Sequence, residues 1–142
     1  MDQQFEVPES VKKLIGVESE PVVLEIEKGT IRKFIEAIDD DNPRWKEEAP
    51  PAFLSSVLGI AEPGRSPIQV DVPYARNLNG GYEWEYFKPV RAGDVIAARS
   101  KVVDAQMRPG RLGPMLFIGF LITYSNQSGE VVAKVRNTMV WY

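Results

Sequence analysis

The first candidates for chemistry lie in one acidic segment, residues 39–43, which reads Asp-Asp-Asp-Asn-Pro. A carboxylate in such a segment can activate water as a general base. The same residue types also end helices and form solvated turns, because Asp and Asn hydrogen-bond to nearby backbone. We expect Asp39 and Asp41 to have that structural role. For Asp40 the sequence leaves both roles open.

The composition narrows the chemistry, because the 142 residues include no histidine and no cysteine. Imidazole acid–base catalysis, a Ser-His-Asp triad and His-ligated zinc are therefore excluded. Disulfides, thiolate metal sites and a cysteine nucleophile are excluded as well. Chemistry by this chain alone must use carboxylates, Lys, Tyr or Ser, and we expect no metal and no cofactor.

The overall composition, with 44% hydrophobic and 26% charged residues, is typical of a globular domain. We expect one domain over residues 1–142, with residues 1–19 as a polar lead-in. The net charge of -3 provides no basic surface for nucleic acid. The acidic start does not resemble a signal peptide, and no apolar run is long enough for a membrane helix. We therefore expect a cytoplasmic protein that binds neither nucleic acid nor membrane.

Two helices are predicted around the acidic segment. In the first, Thr30 is the expected N-cap, and Ile31, Phe34, Ile35 and Ile38 recur at helical spacing. The second covers residues 52–61 and is closed by the Pro-Gly pair at 63–64. Its sequence is apolar almost all round, so we expect it to be buried on most sides.

The rest of the chain is predicted to form strands joined mostly by hairpin-type links. The expected strands are 21–27, one near 68–72, 82–87, 95–107, 115–124 and 131–141. The segment 115–124 is apolar on both faces and should be a covered central strand. We predict an α+β hot-dog fold, in which a curved antiparallel sheet wraps around the buried helix. Its open edge is expected to pair into a double hot-dog dimer.

Several segments together resemble the MaoC-like (R)-specific hydratase and dehydratase family. Residues 34–43 resemble the helix-to-loop segment of that family, and residues 49–53 resemble the start of its central helix. Residues 89–94, 110–117 and 124–130 resemble the strand region of the N-terminal MaoC-like dehydratase domain. The resemblance runs from residue 20 or so to the C-terminus and agrees with the predicted fold.

The chain departs from the family in its catalytic loop, which reads Asp-x-Asn-Pro-x-His in active members. There the Asp and His hold the water that adds to a trans-2-enoyl thioester. Residues 40–45 read Asp-Asp-Asn-Pro-Arg-Trp, so Asp40 and Asn42 match the loop and Trp45 occupies the His position. Indole has a non-basic N–H and cannot shuttle protons. The resemblance therefore implies a broken catalytic dyad, in which Asp40 is vestigial or keeps a carboxylate role.

Two-subunit members of the family suggest what a chain without the His does. The resemblance implies a non-catalytic, tunnel-forming subunit of a heteromeric (R)-specific enoyl-thioester hydratase or 3-hydroxyacyl-thioester dehydratase. Its substrate would be an acyl-CoA or acyl-carrier-protein thioester, and a MaoC-like partner would supply the Asp-His dyad. Two alternatives remain open: a stand-alone hot-dog thioesterase that uses Asp40, and a non-enzymatic acyl-CoA-binding homodimer.

The resemblance also points to substrate-binding positions. These are Trp45, Pro51, Ala52, Phe53 and Arg91, and the backbone N–H groups of Ala52 and Phe53 are the candidate oxyanion donors. A packing role for Trp45 and Pro51 stays open. So does a solvated-loop role for the arginines that could contact coenzyme A phosphates, namely Arg91, Arg108 and Arg111. We expect Tyr82, Trp84 and Tyr86 to form a cross-strand aromatic face rather than a substrate stack.

Overall fold

A computed structural model describes residues 5–57 and 68–142. The helices are α1 (Glu9–Lys12), α2 (Lys28–Ile38) and α3 (Phe53–Val57), with a 3-10 helix over Pro43–Lys46. The strands are β1 (Val22–Glu25), β2 (Asn77–Tyr86), β3 (Val95–Gly110), β4 (Gly113–Ser125) and β5 (Val131–Trp141). No helix within the described ranges is long and apolar enough to cross a membrane.

The five strands form one antiparallel sheet in the order β1-β3-β4-β5-β2. Alternate side chains of a strand point to opposite faces, and one face of this sheet carries the core. On β4 the inward residues are buried, namely Leu116, Ile118, Phe120, Ile122 and Tyr124. This sheet and its few helices confirm the predicted hot-dog fold.

The helices pack on the inward face through a small number of large side chains. Ile31 of α2 and Phe53 and Leu54 of α3 are buried in the core. The rings of Phe34 and Phe53 meet edge to face with centroids 5.7 Å apart. These contacts fix the ends of the two helices, which border the acidic segment.

The helix boundaries differ from the sequence prediction. Helix α2 begins at Lys28 after Glu27, so Thr30 is not its N-cap, and Ile38 is 44% exposed. In α3, Phe53 and Leu54 are buried, but Ser55 and Ser56 are exposed. The expectation of burial on most sides is therefore wrong for that polar edge. Residues 58–64, which include the rest of the predicted helix and its Pro-Gly end, lie outside the described residues.

The strand prediction near residues 68–72 is wrong, because this stretch is irregular. Its side chains Ile68, Val70 and Val72 pack against the core, so their alternation reflects burial rather than sheet pairing. Pro73, which follows them, has no N–H to donate to a ladder.

Strand β2 begins at Asn77, five residues before the predicted start at Tyr82. A bulge at Gly80 lets it continue, since the pairing register with β5 shifts between Asn79 and Gly81. The buried Asn137 amide donates to Asn79 Oδ1 at 2.9 Å and to the Gly81 carbonyl at 3.1 Å. The bulge is thus held by a side chain from the neighbouring strand.

The connections also depart from the prediction in part. Two links are hairpins, but β2 pairs with β5 at the far edge, so the β2–β3 link crosses the sheet. Strand β4 is central, as expected, yet only one of its faces is fully covered. Its outward residues Phe117, Leu121 and Thr123 are half-buried.

Candidate functional site

The acidic segment begins where α2 ends in a left-handed residue, Asp39, with φ of 51°. The Asp39 N–H donates to the Glu36 carbonyl at 3.2 Å, and the Asp40 N–H donates to the Ile35 carbonyl at 3.4 Å. This is the Schellman arrangement, which satisfies the last carbonyls of a helix. Asp tolerates the left-handed region better than most residues do. Asp39 therefore turns the chain and places Asp40 at the start of the loop.

Asn42 organises the next turn. Its side-chain oxygen accepts from the Arg44 N–H at 3.0 Å, and Pro43 occupies the first helical position. The Trp45 N–H donates to the Asn42 carbonyl at 3.0 Å. A cap followed by Pro is a strong signal for a helix start. Asn42 thus starts the 3-10 helix that carries Trp45 back toward Asp40.

The Asp40 carboxylate is engaged by its own loop. Oδ1 accepts from the Asn42 N–H at 3.1 Å, and Oδ2 accepts from the indole Nε1–H of Trp45 at 2.9 Å. The resemblance assigns the Trp45 position to histidine, and here indole makes the contact with Asp40. Indole nitrogen donates but has no basic lone pair, so this contact cannot relay a proton.

Charged side chains connect this loop to the turn before β3. Glu48 pairs with Arg44 and lies 4.0 Å from the Arg91 guanidinium. The Arg91 N–H also donates to Asp94 Oδ2 at 2.8 Å, which anchors the turn before β3. Arg91 therefore lies beside the site, and its nearest charged partner is a protein carboxylate.

An open pocket of about 180 Å³ lies between the start of α3 and the end of β2. Its walls are mostly apolar, and its lining residues include Pro50, Pro51, Phe53, Leu54, Tyr86, Phe87 and Val90. Of the predicted substrate-binding residues, Pro51 and Phe53 line this pocket. Trp45 and Ala52 do not, and the loop is linked to the pocket through Arg44, which lines its edge.

The predicted oxyanion donors at Ala52 and Phe53 stay predictions, and the structure shows that one of these two N–H groups is engaged. The Phe53 N–H donates to the Pro50 carbonyl at 2.9 Å, so it is already used within the turn that opens α3. The Ala49 N–H donates to the Val90 carbonyl at 2.7 Å and ties this turn to the β2–β3 link. The N–H of Ala52 remains the candidate donor.

An aromatic stack extends from the pocket wall into the core. The rings of Tyr86 and Trp84 stack with centroids 5.6 Å apart, and Trp84 stacks on Tyr124 at the same separation. The β5 partners of Tyr86, Trp84 and Tyr82 are not aromatic. The expected aromatic face therefore continues not onto β5 but onto Tyr124 of β4.

Sequence reasoning did not identify Tyr124. Its side chain is fully buried, and its hydroxyl has no hydrogen-bond partner among the described residues. Burial raises the pKa of Tyr124 above its usual range, and negative charge on Tyr82 and Tyr86 would raise it further. No local signal marks it, because Trp84 is 40 positions away, a separation that only the sheet bridges.

The two other arginines that could contact coenzyme A phosphates, Arg108 and Arg111, do not line this pocket. Arg108 lies over the Phe117 ring at 4.8 Å and donates to Gln106, both within the β3–β4 hairpin. Arg111 is exposed near the tip of that hairpin. Within residues 5–57 and 68–142, no cluster of three or more acidic side chains converges to hold a metal ion.

Comparison with known proteins places this chain among dehydratase-like folds. Residues 13–135 match the family described as "FAS1-like, dehydratase domain region". A UPF0336 protein of Thermobifida fusca is 27% identical over 104 residues, covering 63% of this chain and 68% of that protein.

Two solved structures share the fold at low sequence identity. The ChsH1-ChsH2 complex of Mycobacterium tuberculosis contains a chain with TM-score 0.78 and 20% identity, and 94% of each chain is covered. The C-terminally truncated HadBC (3R-hydroxyacyl-ACP dehydratase) complex of the same organism contains one with TM-score 0.69 and 19% identity. That match covers 89% of this chain and 96% of the other.

Proposed function

The chain belongs to the family of FAS1-like dehydratase domain regions, and we propose that it is the non-catalytic subunit of a heteromeric enoyl-thioester hydratase or 3-hydroxyacyl-thioester dehydratase. In this role it forms part of the acyl tunnel. A MaoC-like partner supplies the Asp-His dyad that moves protons to and from the substrate. The substrate is an acyl-CoA or acyl-carrier-protein thioester.

The hydrogen bond from Trp45 to Asp40 is the observation that carries this proposal. Hydration needs a base for water and an acid for the neighbouring carbon. In this loop the group that contacts the carboxylate is an indole, and both carboxylate oxygens accept from the loop itself. Asp40 and Asn42 then act as positioning residues that hold the loop in shape.

The apolar pocket supports the tunnel role. Its walls are Pro, Phe and Leu side chains of the α3 start together with aromatic side chains at the end of β2. At about 180 Å³ it is smaller than the several hundred Å³ of a complete ligand site. A second subunit that covers this face would enlarge and close it.

The exposed edge strand supports a partner. Strand β2 is the last in the sheet, and its residues are exposed apart from half-buried Trp84. Its large apolar residues Leu78, Tyr82 and Tyr86 are among those that contact water. Unpaired edges invite strand addition. The two similar structures come from the ChsH1-ChsH2 and HadBC complexes, which are assemblies of two named components.

An assay of crotonyl-CoA hydration tests the proposal. The reaction is measured as loss of the enoyl absorbance. We expect no turnover by the purified chain. We expect turnover after co-expression with a MaoC-like protein that carries Asp-x-Asn-Pro-x-His. Robust hydration by the chain alone would refute the proposal. Thioester cleavage that Asp40→Asn abolishes would indicate a thioesterase instead. Ligand binding without turnover in any pairing would indicate a binding homodimer.

A further inference from the structure

We propose that the Tyr124 hydroxyl donates a hydrogen bond to a neutral oxygen, keto or hydroxyl, on the acyl chain of the bound thioester. Tyr82, Trp84 and Tyr86 form the aromatic wall of this subsite. The inference rests on the proposed function, because it assumes an acyl thioester in the pocket. It adds a substrate class, namely acyl groups with a keto or hydroxyl oxygen on a carbon that is distant from the thioester.

The first argument is the unsatisfied hydroxyl itself. Tyr124 is fully buried, and its hydroxyl has no partner among residues 5–57 and 68–142. Burying a hydroxyl without a hydrogen bond is unfavourable, and native structures rarely leave one so. A ligand that brings an acceptor to this position removes that penalty on binding.

The second argument is the small size of the residues that flank the ring in the sheet. Ala98 and Ala133 are the direct neighbours of Tyr124 on the two adjacent strands. Both are alanines, so the flanking strands contribute only methyl groups beside a large ring. The packing is completed instead by Trp84, which lies two strands away and stacks on Tyr124. A site lined by stacked rings and methyl groups suits an apolar group with one polar atom.

The third argument is continuity with the pocket. Tyr86 lines the pocket and is 45% exposed, and its ring stacks on Trp84. Trp84 stacks in turn on Tyr124, so the stack leads from the pocket wall to the buried hydroxyl. Reaching the hydroxyl requires the exposed Tyr86 ring to move away from its stack on Trp84. An acyl chain that enters between Pro51 and Tyr86 would then reach Tyr124.

The buried setting also selects a neutral oxygen rather than a carboxylate. Burial keeps the Tyr124 pKa high, so the group is a protonated donor at neutral pH. An ionised ligand group would have to lose its water beside two further phenols. That desolvation is strongly unfavourable. A keto or hydroxyl oxygen meets the donor at a much smaller desolvation cost.

Isothermal titration calorimetry on the 142-residue chain tests the subsite. The probes are dodecanoyl-CoA and a series of oxododecanoyl-CoA isomers with the keto oxygen at successive carbons. We expect one isomer to bind about fivefold tighter than dodecanoyl-CoA, as one added hydrogen bond provides. Tyr124→Phe should remove this gain and leave dodecanoyl-CoA affinity unchanged. Tyr74→Phe is the matched control, since its hydroxyl contacts the Met107 sulfur instead.

The outcomes separate this inference from the proposed function. Binding of dodecanoyl-CoA without a gain for any isomer, or a gain that survives Tyr124→Phe, would overturn the subsite alone. Failure of every thioester to bind would overturn the subsite on this chain, whereas the proposed function depends on hydration of crotonyl-CoA by the co-expressed pair. A second measurement is the thermal stability of the free Tyr124→Phe chain. We expect it to be unchanged or raised, because the change removes an unpaired buried hydroxyl. A clear loss would show that the hydroxyl already has a partner and would overturn the subsite.

Discussion

At the residue scale, the loop after α2 is closed by the Trp45 indole, which lies where the resemblance implies a histidine. Asp39 ends the helix, Asn42 caps the 3-10 helix, and the indole N–H of Trp45 donates a hydrogen bond to Asp40. Each of these interactions holds the loop in position, and none of them moves a proton. Asp40 thus has a structural role in this loop, because both of its carboxylate oxygens accept hydrogen bonds from it.

Trp45→Phe tests that structural role. The change keeps an aromatic ring but removes the donor to Asp40 Oδ2, so we expect the free energy of unfolding to fall by about 1–2 kcal/mol. Urea denaturation measures it. Lys46→Ala, at the exposed neighbouring position, is the control and should change stability by less than about 0.5 kcal/mol. Equal effects of the two changes would contradict the structural role.

Tyr124 makes a prediction about alkaline stability. Its pKa is raised in the folded chain, so the unfolded chain ionises first as the pH passes about 10. The unfolded state then binds fewer protons than the folded state, and stability falls as the pH rises further. We expect the wild-type chain to lose more stability than Tyr124→Phe above that pH. Urea midpoints measured over the alkaline range check it, and parallel curves for the two proteins would refute it.

At the element scale, local pattern was sufficient where one face of an element is buried. The apolar stripe of α2 and the apolar runs of β3, β4 and β5 predicted these elements correctly. The sequence pattern failed where burial of the side chains and pairing in the sheet do not coincide. Residues 68–72 alternate because they pack on the core, and β2 extends past its pattern because Asn137 holds a bulge. Tertiary contacts decide both cases.

The candidate site was predictable to the same extent. The motif located Asp40, Asn42 and Trp45 on one loop, and the structure joins them by hydrogen bonds. It also predicted Pro51 and Phe53, which line the pocket. The hydrogen bond of the Phe53 N–H and the stacking on Tyr124 could not be predicted from the sequence. The first depends on turn geometry, and the second depends on pairing across three strands. The functional roles of the predicted residues stay predictions.

The outer face of the sheet offers a test of how β3, β4 and β5 fit together. Asp104 and Arg136 form an ion pair across β4, above Gly119. A Cβ at Gly119 would lie 2.5 Å from Asp104 Oδ1 and 3.0 Å from Arg136 Nη2. The glycine therefore leaves room for the pair.

We expect Gly119→Ala to displace this pair and to lower stability by up to about 1 kcal/mol, the scale of an exposed ion pair. In an Asp104→Ala background the same change should be neutral or stabilising, because Ala is better than Gly in a strand. A double-mutant cycle in urea measures the coupling. Additive effects would show that the pair does not depend on Gly119.

At the scale of the whole molecule, the important feature is the edge of the sheet that β2 forms. The pocket lies at the end of β2, and exposed apolar side chains lie along this strand. The proposed partner would cover both at once. The cytoplasmic location expected from the sequence stays a prediction.

Leu78→Lys tests the edge as the partner surface. We expect the charge to weaken the complex with the co-expressed MaoC-like partner by at least about tenfold in Kd, because burying an unpaired cation is costly. Analytical ultracentrifugation measures it. Leu112→Lys is the matched control, since Leu112 is 89% exposed at the tip of the β3–β4 hairpin. Equal weakening by both changes would contradict the assignment of this edge.

The bulge in β2 also has a consequence for what cannot assemble there. With Asn137 holding Asn79 and Gly81, the outer edge is broken at Gly80, and only residues 81–86 present an uninterrupted row of backbone groups. Bulges of this kind blunt edges against indiscriminate addition. A strand added at this edge could pair with residues 81–86 but not along a straight continuation past the bulge. We therefore expect the bulge to disfavour the growth of fibrils through the β2 edge.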